Sequence, residues 1–557
     1  MRLSSLLRLK TNFLSLFGFQ LKAKSISRLI RFYRLRVETL EDRIAPVTDV
    51  FTNPLGGAWS LGSNWRLNAP PTSAQDVTVA PGGGVTVTHA SGTDTVQNLT
   101  SDGSLVISGG SVTVTGNLGG TIHETTGGQL TLNGSGATVG NVTLDVSGGG
   151  IVNLPGTLNN SGNTLTLSGN GVFNLSGSLV GGTVTTTNGA TLVGMGGTLD
   201  GATVNGNFQV SGDNSVTVKD GLTLNGTLTL GDSTSGIGGY LSFEGTQTLG
   251  GSGSIVFGSG SPYNALDVPS TSTILTIGPN VTIHGQSGYV GYDPSLGGPS
   301  NVTVVNNGTI TADVNGGTIR LLSTYQGNGA YGNANGGLLS LAGATLDGVT
   351  LNGNLTLTGD NVVYIKDGLT LNGTLTLGDS TSGNGGYLSF EGTETLGGSG
   401  SIVFGSGSGY NALDVPSTST ILTIGPNVTI HGQSGYVGYD PSLGGPSNVT
   451  VVNNGTIAAD VSGGTIRLLS IYQGNGTFNN VNGGVLSISG ATLESVTLNG
   501  TVLSLVGATL DGVTVSGDWS LAGGNEVTVK DGLTLNGTVT LGPIVKIVLV
   551  LGTSKAL

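Results

Sequence analysis

The sequence predicts an all-β protein wound into an elongated β-solenoid, after a basic N-terminal segment with helical potential. A block of 147 residues, 197–343, recurs almost unchanged as 344–490. After residue 47, short runs alternate aliphatic and polar residues between Gly and Asn, with no helical periodicity. A chain that grows by copying whole blocks must dock each block on its neighbour, as linear repeat architectures do. Winding as a right-handed β-helix is favoured.

Residues 1–47 form the first predicted unit. Ten of the eighteen basic residues lie between Arg2 and Arg43, and they alternate with Leu, Phe and Ile. The apolar run Phe13 to Phe19 is too short to cross a bilayer. A basic start followed by a brief apolar run is typical of targeting or membrane-surface segments. We therefore expect contact with a membrane or with export machinery.

The end of this segment carries a recognisable motif. Glu38-Thr39-Leu40-Glu41-Asp42-Arg43 resembles the LEDR/LEPR-type segment that precedes large, repetitive exported proteins of planctomycete type. The resemblance covers about a dozen residues. It implies export to the cell surface or the extracellular space, and it implies no activity.

Residues 48–80 are predicted to cap the solenoid. Trp59 and Trp65, two of the three Trp of the chain, lie here, followed by Pro70-Pro71. This segment resembles the opening of the β-solenoid in autotransporter-associated β-strand repeat proteins. The resemblance implies that the aromatic rings cover the end of the first coil, where an open sheet edge would otherwise be exposed.

The rest of the chain divides by its repeats. We predict diverged coils over 81–196, repeat block 1 over 197–343, repeat block 2 over 344–490, one extra coil over 491–507, and a partial third block with the C-terminal end over 508–557. The extra unit of 17 residues echoes the start of the third block. Insertion of a single unit without loss of the pattern favours stacked coils.

Asn-Gly between two alternating runs also permits a hairpin. In a two-residue hairpin at Asn225-Gly226, the flanking Leu side chains would fall on both faces of the sheet. A solenoid corner lets Leu222, Leu224, Leu228 and Leu230 all point inward, although a three-residue loop with a bulge would also rescue a hairpin. In a solenoid, corner amides would stack as ladders; the candidates are Asn205, Asn225, Asn352, Asn372, Asn499 and Asn536.

Five aligned positions differ between 219–322 and 366–469, and none of them changes a Leu, Val, Phe or Tyr. These positions are Ile237/Asn384, Gln247/Glu394, Pro262/Gly409, Thr311/Ala458 and Asn315/Ser462. Because Ile becomes Asn at the first of them, we expect that position to be exposed while the inward Leu set stays constant.

Composition excludes several kinds of site. The absence of Cys removes disulfides and thiolate chemistry, and four His leave little for a metal centre. After residue 47 the chain is acidic, so it has no basic stripe for nucleic acid. The Gly-Gly-x-Gly-x-Asp repeat of calcium-binding β-rolls is missing. We predict no cofactor, no metal site and no catalytic residues.

The densest polar and aromatic group lies near the middle of each block. Tyr rings can stack on sugars, and His and Asp offer hydrogen bonds, so this group is the candidate contact for an extracellular glycan or a cell-surface matrix. The alternative is that the Tyr rings cover the flank and that Asp293 starts a turn before Pro294. The candidate residues are His284, Tyr289, Tyr292 and Asp293, with His431, Tyr436, Tyr439 and Asp440 in the second copy.

The sequence as a whole predicts a non-enzymatic, exported structural protein, adhesive or matrix-associated, with a stiff solenoid. One alternative is a carbohydrate-active β-helix enzyme, a polysaccharide lyase or hydrolase, which needs an unduplicated acidic cleft. In the unduplicated stretch 80–196, His123, Glu124 and Asp145 are too few to favour such a cleft. The other alternative is a fragment of a longer surface protein. The hydrophobic C-terminal end would favour end-to-end self-association.

Overall fold

The computed structural model describes residues 47–82, 84–233, 236–380, 383–500 and 503–550. The basic segment and the LEDR motif lie outside these residues. Within them the chain has one 3-10 turn, Gly62–Asn64, no α-helix, and strands that stack in parallel as a β-solenoid of about 22 turns. The predicted fold class is confirmed for this part of the chain.

The strands before the first block are short and mostly separated by one to four residues. They are β1 (Val47–Val50), β2 (Gly57–Ala58), β3 (Gln75–Val79), β4 (Val87–His89), β5 (Thr93–Val96), β6 (Asn98–Ile107), β7 (Gly110–Val114), β8 (Leu118–Thr125), β9 (Gly128–Leu132), β10 (Ser135–Gly148), β11 (Ile151–Leu154), β12 (Thr157–Asn159), β13 (Thr164–Gly169), β14 (Val172–Leu175), β15 (Ser178–Val180), β16 (Thr183–Thr187) and β17 (Thr191–Gly194).

The first block contains β18 (Thr198–Asn205), β19 (Asn207–Val210), β20 (Asn214–Leu224), β21 (Thr227–Leu230), β22 (Gly239–Phe243), β23 (Gln247–Gly251), β24 (Ser254–Phe257), β25 (Asn264–Asp267), β26 (Ile274–Ile277), β27 (Thr282–Gly285), β28 (Gly288–Gly291), β29 (Thr303–Asn306), β30 (Thr309–Ala312), β31 (Thr318–Leu321), β32 (Thr324–Gln326), β33 (Ala330–Asn333) and β34 (Leu338–Ser340).

The second block contains β35 (Thr345–Leu351), β36 (Leu355–Leu357), β37 (Asn361–Leu371), β38 (Thr374–Leu377), β39 (Gly386–Phe390), β40 (Glu394–Gly398), β41 (Ser401–Phe404), β42 (Asn411–Asp414), β43 (Ile421–Ile424), β44 (Thr429–Gly432), β45 (Ser434–Gly438), β46 (Thr450–Asn453), β47 (Thr456–Ala459), β48 (Thr465–Leu468), β49 (Ile471–Gln473), β50 (Thr477–Asn480) and β51 (Val485–Ser489). The remainder contains β52 (Thr492–Glu494), β53 (Thr497–Gly500), β54 (Leu503–Val506), β55 (Thr509–Ser516), β56 (Trp519–Leu521), β57 (Glu526–Leu535), β58 (Val539–Leu541) and β59 (Lys546–Val550).

Three parallel ladders run along the solenoid, and we call them faces 1, 2 and 3. In the first block, face 1 is β22, β25, β28 and β31. Face 2 is β23, β26, β29 and β32. Face 3 is β21, β24, β27, β30 and β33. Each turn of the chain therefore contributes one strand to each face.

One apolar core runs through all the turns. Its residues extend from Phe51 to Val527, and alternate positions along most strands are buried in it. The Trp pair belongs to this core: Trp59 and Trp65 are each 1% exposed, their ring centroids lie 4.9 Å apart, and Trp65 Nε1 donates to Trp59 O at 2.7 Å. The cap over 48–80 stays a prediction.

The corner at Asn225-Gly226 resolves the hairpin question. The strands before and after it, β20 and β21, pair in parallel with different strands of the preceding turn, β18 and β19. The hairpin alternative is therefore wrong, and the inward direction of the Leu set is confirmed, since Leu222, Leu224, Leu228 and Leu230 are all buried.

The predicted amide ladders are present in two places, where Asn225 Nδ2 donates to Asn205 Oδ1 and Asn372 Nδ2 to Asn352 Oδ1, both at 2.9 Å. Asn536 Nδ2 instead donates to Ser516 Oγ at 3.4 Å.

The extra unit of 17 residues forms one turn, because Leu486 of β51 pairs with Leu503 of β54. Ile237 is exposed, as predicted.

The two blocks are not in phase with the turns. Six pairings lead along face 3 from β17 to β33, and the copy of β17 is β34, the next strand along the chain. One block is therefore six turns and one third. Every strand of block 2 consequently lies one face further round than its copy in block 1, and roughly 30 Å along the axis at about 4.8 Å per turn.

Candidate functional site

Each His of the candidate site lies within hydrogen-bond distance of an Asp carboxylate from the neighbouring turn. His284 lies on β27 of face 3, about a third exposed, and its Nδ1 is 3.0 Å from Asp313 Oδ2. His431 and Asp460 repeat this pair at 2.9 Å. The carboxylate comes from the loop after the next strand of the same face, so the pair joins two neighbouring turns.

This pair orients an imidazole, but the two copies do not offer the same neighbour. Thr311 is the ladder partner of His284, whereas Ala458 is the partner of His431. The hydroxyl stacked beside the His is therefore lost in the second copy. A role shared by both copies must rest on the His–Asp pair itself.

Tyr289 lies on a different face from His284. It belongs to β28 of face 1, and the guanidinium carbon of Arg320, from the next turn, sits 5.4 Å from the centre of its ring. In the second copy Arg467 lies 5.2 Å from the ring centre of Tyr436. This distance allows a cation–π interaction.

In the second copy, Arg467 makes a further hydrogen bond. Arg467 Nη1 donates to Gly409 O at 3.4 Å, and the adjacent Tyr410 is 58% exposed. Arg467 thus contacts the Tyr436 ring and the backbone next to Tyr410, and we refer to Tyr410, Tyr436 and Arg467 as one surface patch. In the first copy Pro262 stands in place of Gly409, and Tyr263 is likewise exposed.

The remaining candidates are largely internal. Tyr292 packs against the core, and its N–H donates to Ser323 Oγ at 2.9 Å. Asp293 is fully buried, and its Oδ1 accepts from the N–H and the hydroxyl of Ser295 at 2.8 and 2.7 Å. Asp440 repeats this arrangement with Ser442, and Tyr439 repeats that of Tyr292. These two hydrogen bonds show that Asp293 starts the turn that leads through Pro294 to Ser295.

Each buried Asp has a second carboxyl beside it that sequence reasoning did not select. Asp267 is 4% exposed, and burial together with the charge of Asp293 raises its pKa to about 6. Asp414 is 2% exposed, burial raises its pKa to about 6, and its Oδ1 accepts from Asp440 N at 3.1 Å. The only sequence signal was that Asn-Ala-Leu-Asp-Val-Pro recurs intact in both blocks.

These carboxyls predict a pH dependence. Because the pKa of Asp267 and Asp414 is higher in the folded chain than the ordinary 3.8, the folded state binds more protons and stability falls as pH rises from about 4 to 6. Asp267→Asn/Asp414→Asn should flatten this part of the stability curve, measured as Tm from pH 4 to 7. Asp313→Asn/Asp460→Asn, at half-exposed positions, is the control and should leave the decline in place.

The His and carboxylate residues that the sequence names in the unduplicated stretch are His123, Glu124 and Asp145. His123 Nδ1 lies 2.7 Å from Asp145 Oδ2 on the outer surface, whereas Glu124 is fully buried. Alternation along β8 turns Glu124 inward, beside its ladder partner Ile107. The three residues named by the sequence therefore lie on opposite sides of the sheet and do not meet in one cleft.

The structure thus divides the candidate residues among several surroundings. Within each copy the His–Asp pair and the Tyr–Arg pair lie on different faces, and the buried Asp residues lie inside. Among the residues that the structure describes, no three His, Cys, Asp or Glu side chains group as metal ligands, and no helix is long and apolar enough to cross a membrane.

The duplicated surfaces point in different directions. Tyr289 and Arg320 lie on face 1, whereas Tyr436 and Arg467 lie on the ladder that continues face 2 through β32, β35, β37, β39, β42 and β45. Duplication therefore did not place the two Tyr–Arg surfaces on the same face.

The chain matches no protein-family model, no curated protein and no solved structure.

Proposed function

We propose that this protein is a non-enzymatic structural spacer of the cell surface or the extracellular matrix. The observation that carries this proposal is the single apolar core that extends through about 22 turns, with its inward Leu, Val and Phe residues unchanged between 219–322 and 366–469. At about 4.8 Å per turn such a solenoid is on the order of 100 Å long. Parallel ladders and a continuous core make such a rod stiff along its axis.

The location is tested by cell fractionation and by protease treatment of intact cells. The basic segment 1–47 and its LEDR motif support export, so we expect the protein at the cell surface or in the medium and accessible to protease. Recovery only from the cytoplasm, protected from protease in intact cells, would contradict this part of the proposal.

Deletion of a whole copy tests the spacer role. Removal of 344–490 joins Gly343 to Ala491, which reproduces the natural junction of Gly490 with Ala491. Because each block ends where the next begins, the shortened chain should fold with an unchanged Tm and lose roughly 30 Å of length, measured by electron microscopy or X-ray scattering.

The matched control deletes 344–480, which is ten residues short of a whole block, so residues after the junction no longer stand where their copies stood and the later strands are misaligned. This variant should be destabilised or aggregated. Equal behaviour of the two deletions would contradict a length set by whole blocks.

A second function, contact with a glycan, is favoured by the Tyr410, Tyr436 and Arg467 patch. Exposed Tyr rings can stack on sugar rings, and the guanidinium can donate to hydroxyls. Binding to a glycan array should weaken in Tyr436→Ala/Tyr289→Ala and persist in His431→Ala/His284→Ala. Polysaccharide turnover that is lost in Asp313→Asn/Asp460→Asn would instead favour the enzyme alternative.

A further inference from the structure

The junction between the two blocks is the least paired part of the solenoid. No residue pairs join β33 to β35 or β34 to β36 among the described strands, and the third ladder has only Thr324 with Thr345 and Tyr325 with Leu346. At the equivalent turn before block 1, each of the three ladders has three pairs. Two ladders are therefore interrupted where one copy meets the next.

A single position accounts for the gap between β34 and β36. Just before block 1 this position is Gly194, and a Cβ there would lie 2.3 Å from Val216 Cγ2 and 2.9 Å from Val210 Cγ2. The turn is short, since Leu192 pairs with Phe208, sixteen residues later. Such a turn has no room for a side chain at this inward position.

Just before block 2, near the end of block 1, the same position is Leu341, which is buried. A small cleft of about 60 Å³ opens beside it, between Leu338 and Leu341 on one side and Leu357 and Asn361 on the other. The added side chain holds the strands apart, so the ladder that joins β17 to β19 has no counterpart between β34 and β36.

Two other copies of this position serve as internal controls. Leu505 occupies it before the third copy, and no residue pairs join β54 to β56 among the described residues; β56 pairs with β58 instead. Ile488 also occupies it, but the turn that follows has seventeen residues, and β51 pairs fully with β54. The interruption follows a bulky residue in a sixteen-residue turn.

We propose that the block junction is a compliant joint, at which the solenoid opens or bends before any neighbouring turn, and that Leu341 in its short turn creates it. Protection of backbone amides depends on the local free energy of opening, and a turn held by one short ladder opens first. The joint follows from the ladder geometry; only its use, giving a stiff spacer a flexible connection, rests on the proposed structural role.

Native-state hydrogen exchange followed by mass spectrometry tests this inference on the full chain. Amides of 349–357 should exchange at least roughly tenfold faster than the equivalent amides of 202–210. The two segments differ in sequence, for example at Phe208 and Leu355, so their peptides can be told apart by mass. Equal protection of both segments in the natural chain would overturn the proposal.

Two reciprocal variants assign the cause. Leu341→Gly should slow exchange of 349–357 toward the rate of 202–210, and Gly194→Leu should accelerate exchange of 202–210 while leaving 349–357 unchanged. If Leu341→Gly leaves a cavity and fails to fold, Gly194→Leu alone decides. Unchanged protection at 202–210 in that variant would overturn the assignment to this position.

If hydrogen exchange contradicts the proposed joint, the proposed spacer role still stands, because cell fractionation and block deletion test that role separately. Conversely, a cytoplasmic location would not alter the exchange rates. The two proposals can therefore fail independently.

Discussion

Gly251→Ala should destabilise the first block strongly, by roughly 2 to 4 kcal/mol, whereas Gly250→Ala should change little. Gly251 has φ of +96°, and a Cβ there would lie 2.1 Å from the carbonyl oxygen of Leu224 in the preceding turn. A Cβ on Gly250 would meet nothing within 4 Å. Both the backbone angle and the close stacking of turns therefore require glycine at only one of these two neighbours.

The second block repeats this experiment. Gly398 has φ of +95° with the oxygen of Leu371 at 2.1 Å from a Cβ, and Gly397 is open. Gly398→Ala and Gly397→Ala should reproduce the difference, measured by thermal unfolding and by local hydrogen exchange. If Gly250→Ala and Gly251→Ala lose equal stability, the stacking of turns is looser than the structure indicates.

Glu124→Leu should stabilise the protein at neutral pH, by roughly 1 to 3 kcal/mol. Neither carboxyl oxygen of Glu124 has a hydrogen-bond partner, and the side chain is fully buried. Burial, and secondarily the charge of Asp145, raises the pKa of Glu124 well above its ordinary 4.5. A Leu of similar size removes the cost of holding this group inside the core.

The Glu124 carboxyl also determines how the stability of the protein changes with pH. Since its folded pKa is raised, the folded state binds the additional proton, and stability falls as pH rises above about 4.5. Glu124→Gln keeps the shape without the titration, so this part of the decline should disappear in it, as in Glu124→Leu. Tm measured from pH 4 to 8 checks both variants. An unchanged slope in Glu124→Gln would place the origin of the decline elsewhere.

The repeats and the alternation of Leu with Thr were sufficient to predict the solenoid, because each short strand must bury one side. The corner at Asn225-Gly226 and the turn of seventeen residues were also readable, since insertion of a unit preserves the pattern only in a stack. These features depend on local sequence and on exact repetition, both of which a single chain displays.

The site was less accessible to sequence. His284 and Tyr289 are five residues apart, yet a corner separates them and places them on different faces. Asp267 and Asp293 are distant in sequence but neighbours in successive turns. The length of each turn varies, so the pairing of residues between turns, and with it every site built across turns, does not follow from spacing alone.

The interrupted ladders at the block junction could not be predicted for a related reason. Replacement of Gly194 by Leu341 is an unremarkable difference between repeats in sequence, because Leu is the usual inward residue of this chain. Its effect depends on the turn being sixteen residues long, and Ile488 shows that one more residue removes it.

Each block contains one third of a turn beyond six whole turns. The number of copies therefore determines the direction in which the surface of the last copy points. A third complete copy would carry its Tyr–Arg pair on the remaining face, and a fourth would return to the first direction. Unequal recombination between nearly identical blocks would therefore change which face carries the Tyr–Arg pair of the last copy. It would also change the length of the solenoid. Chains with different numbers of copies could engage neighbours on different sides without the substitution of a single residue.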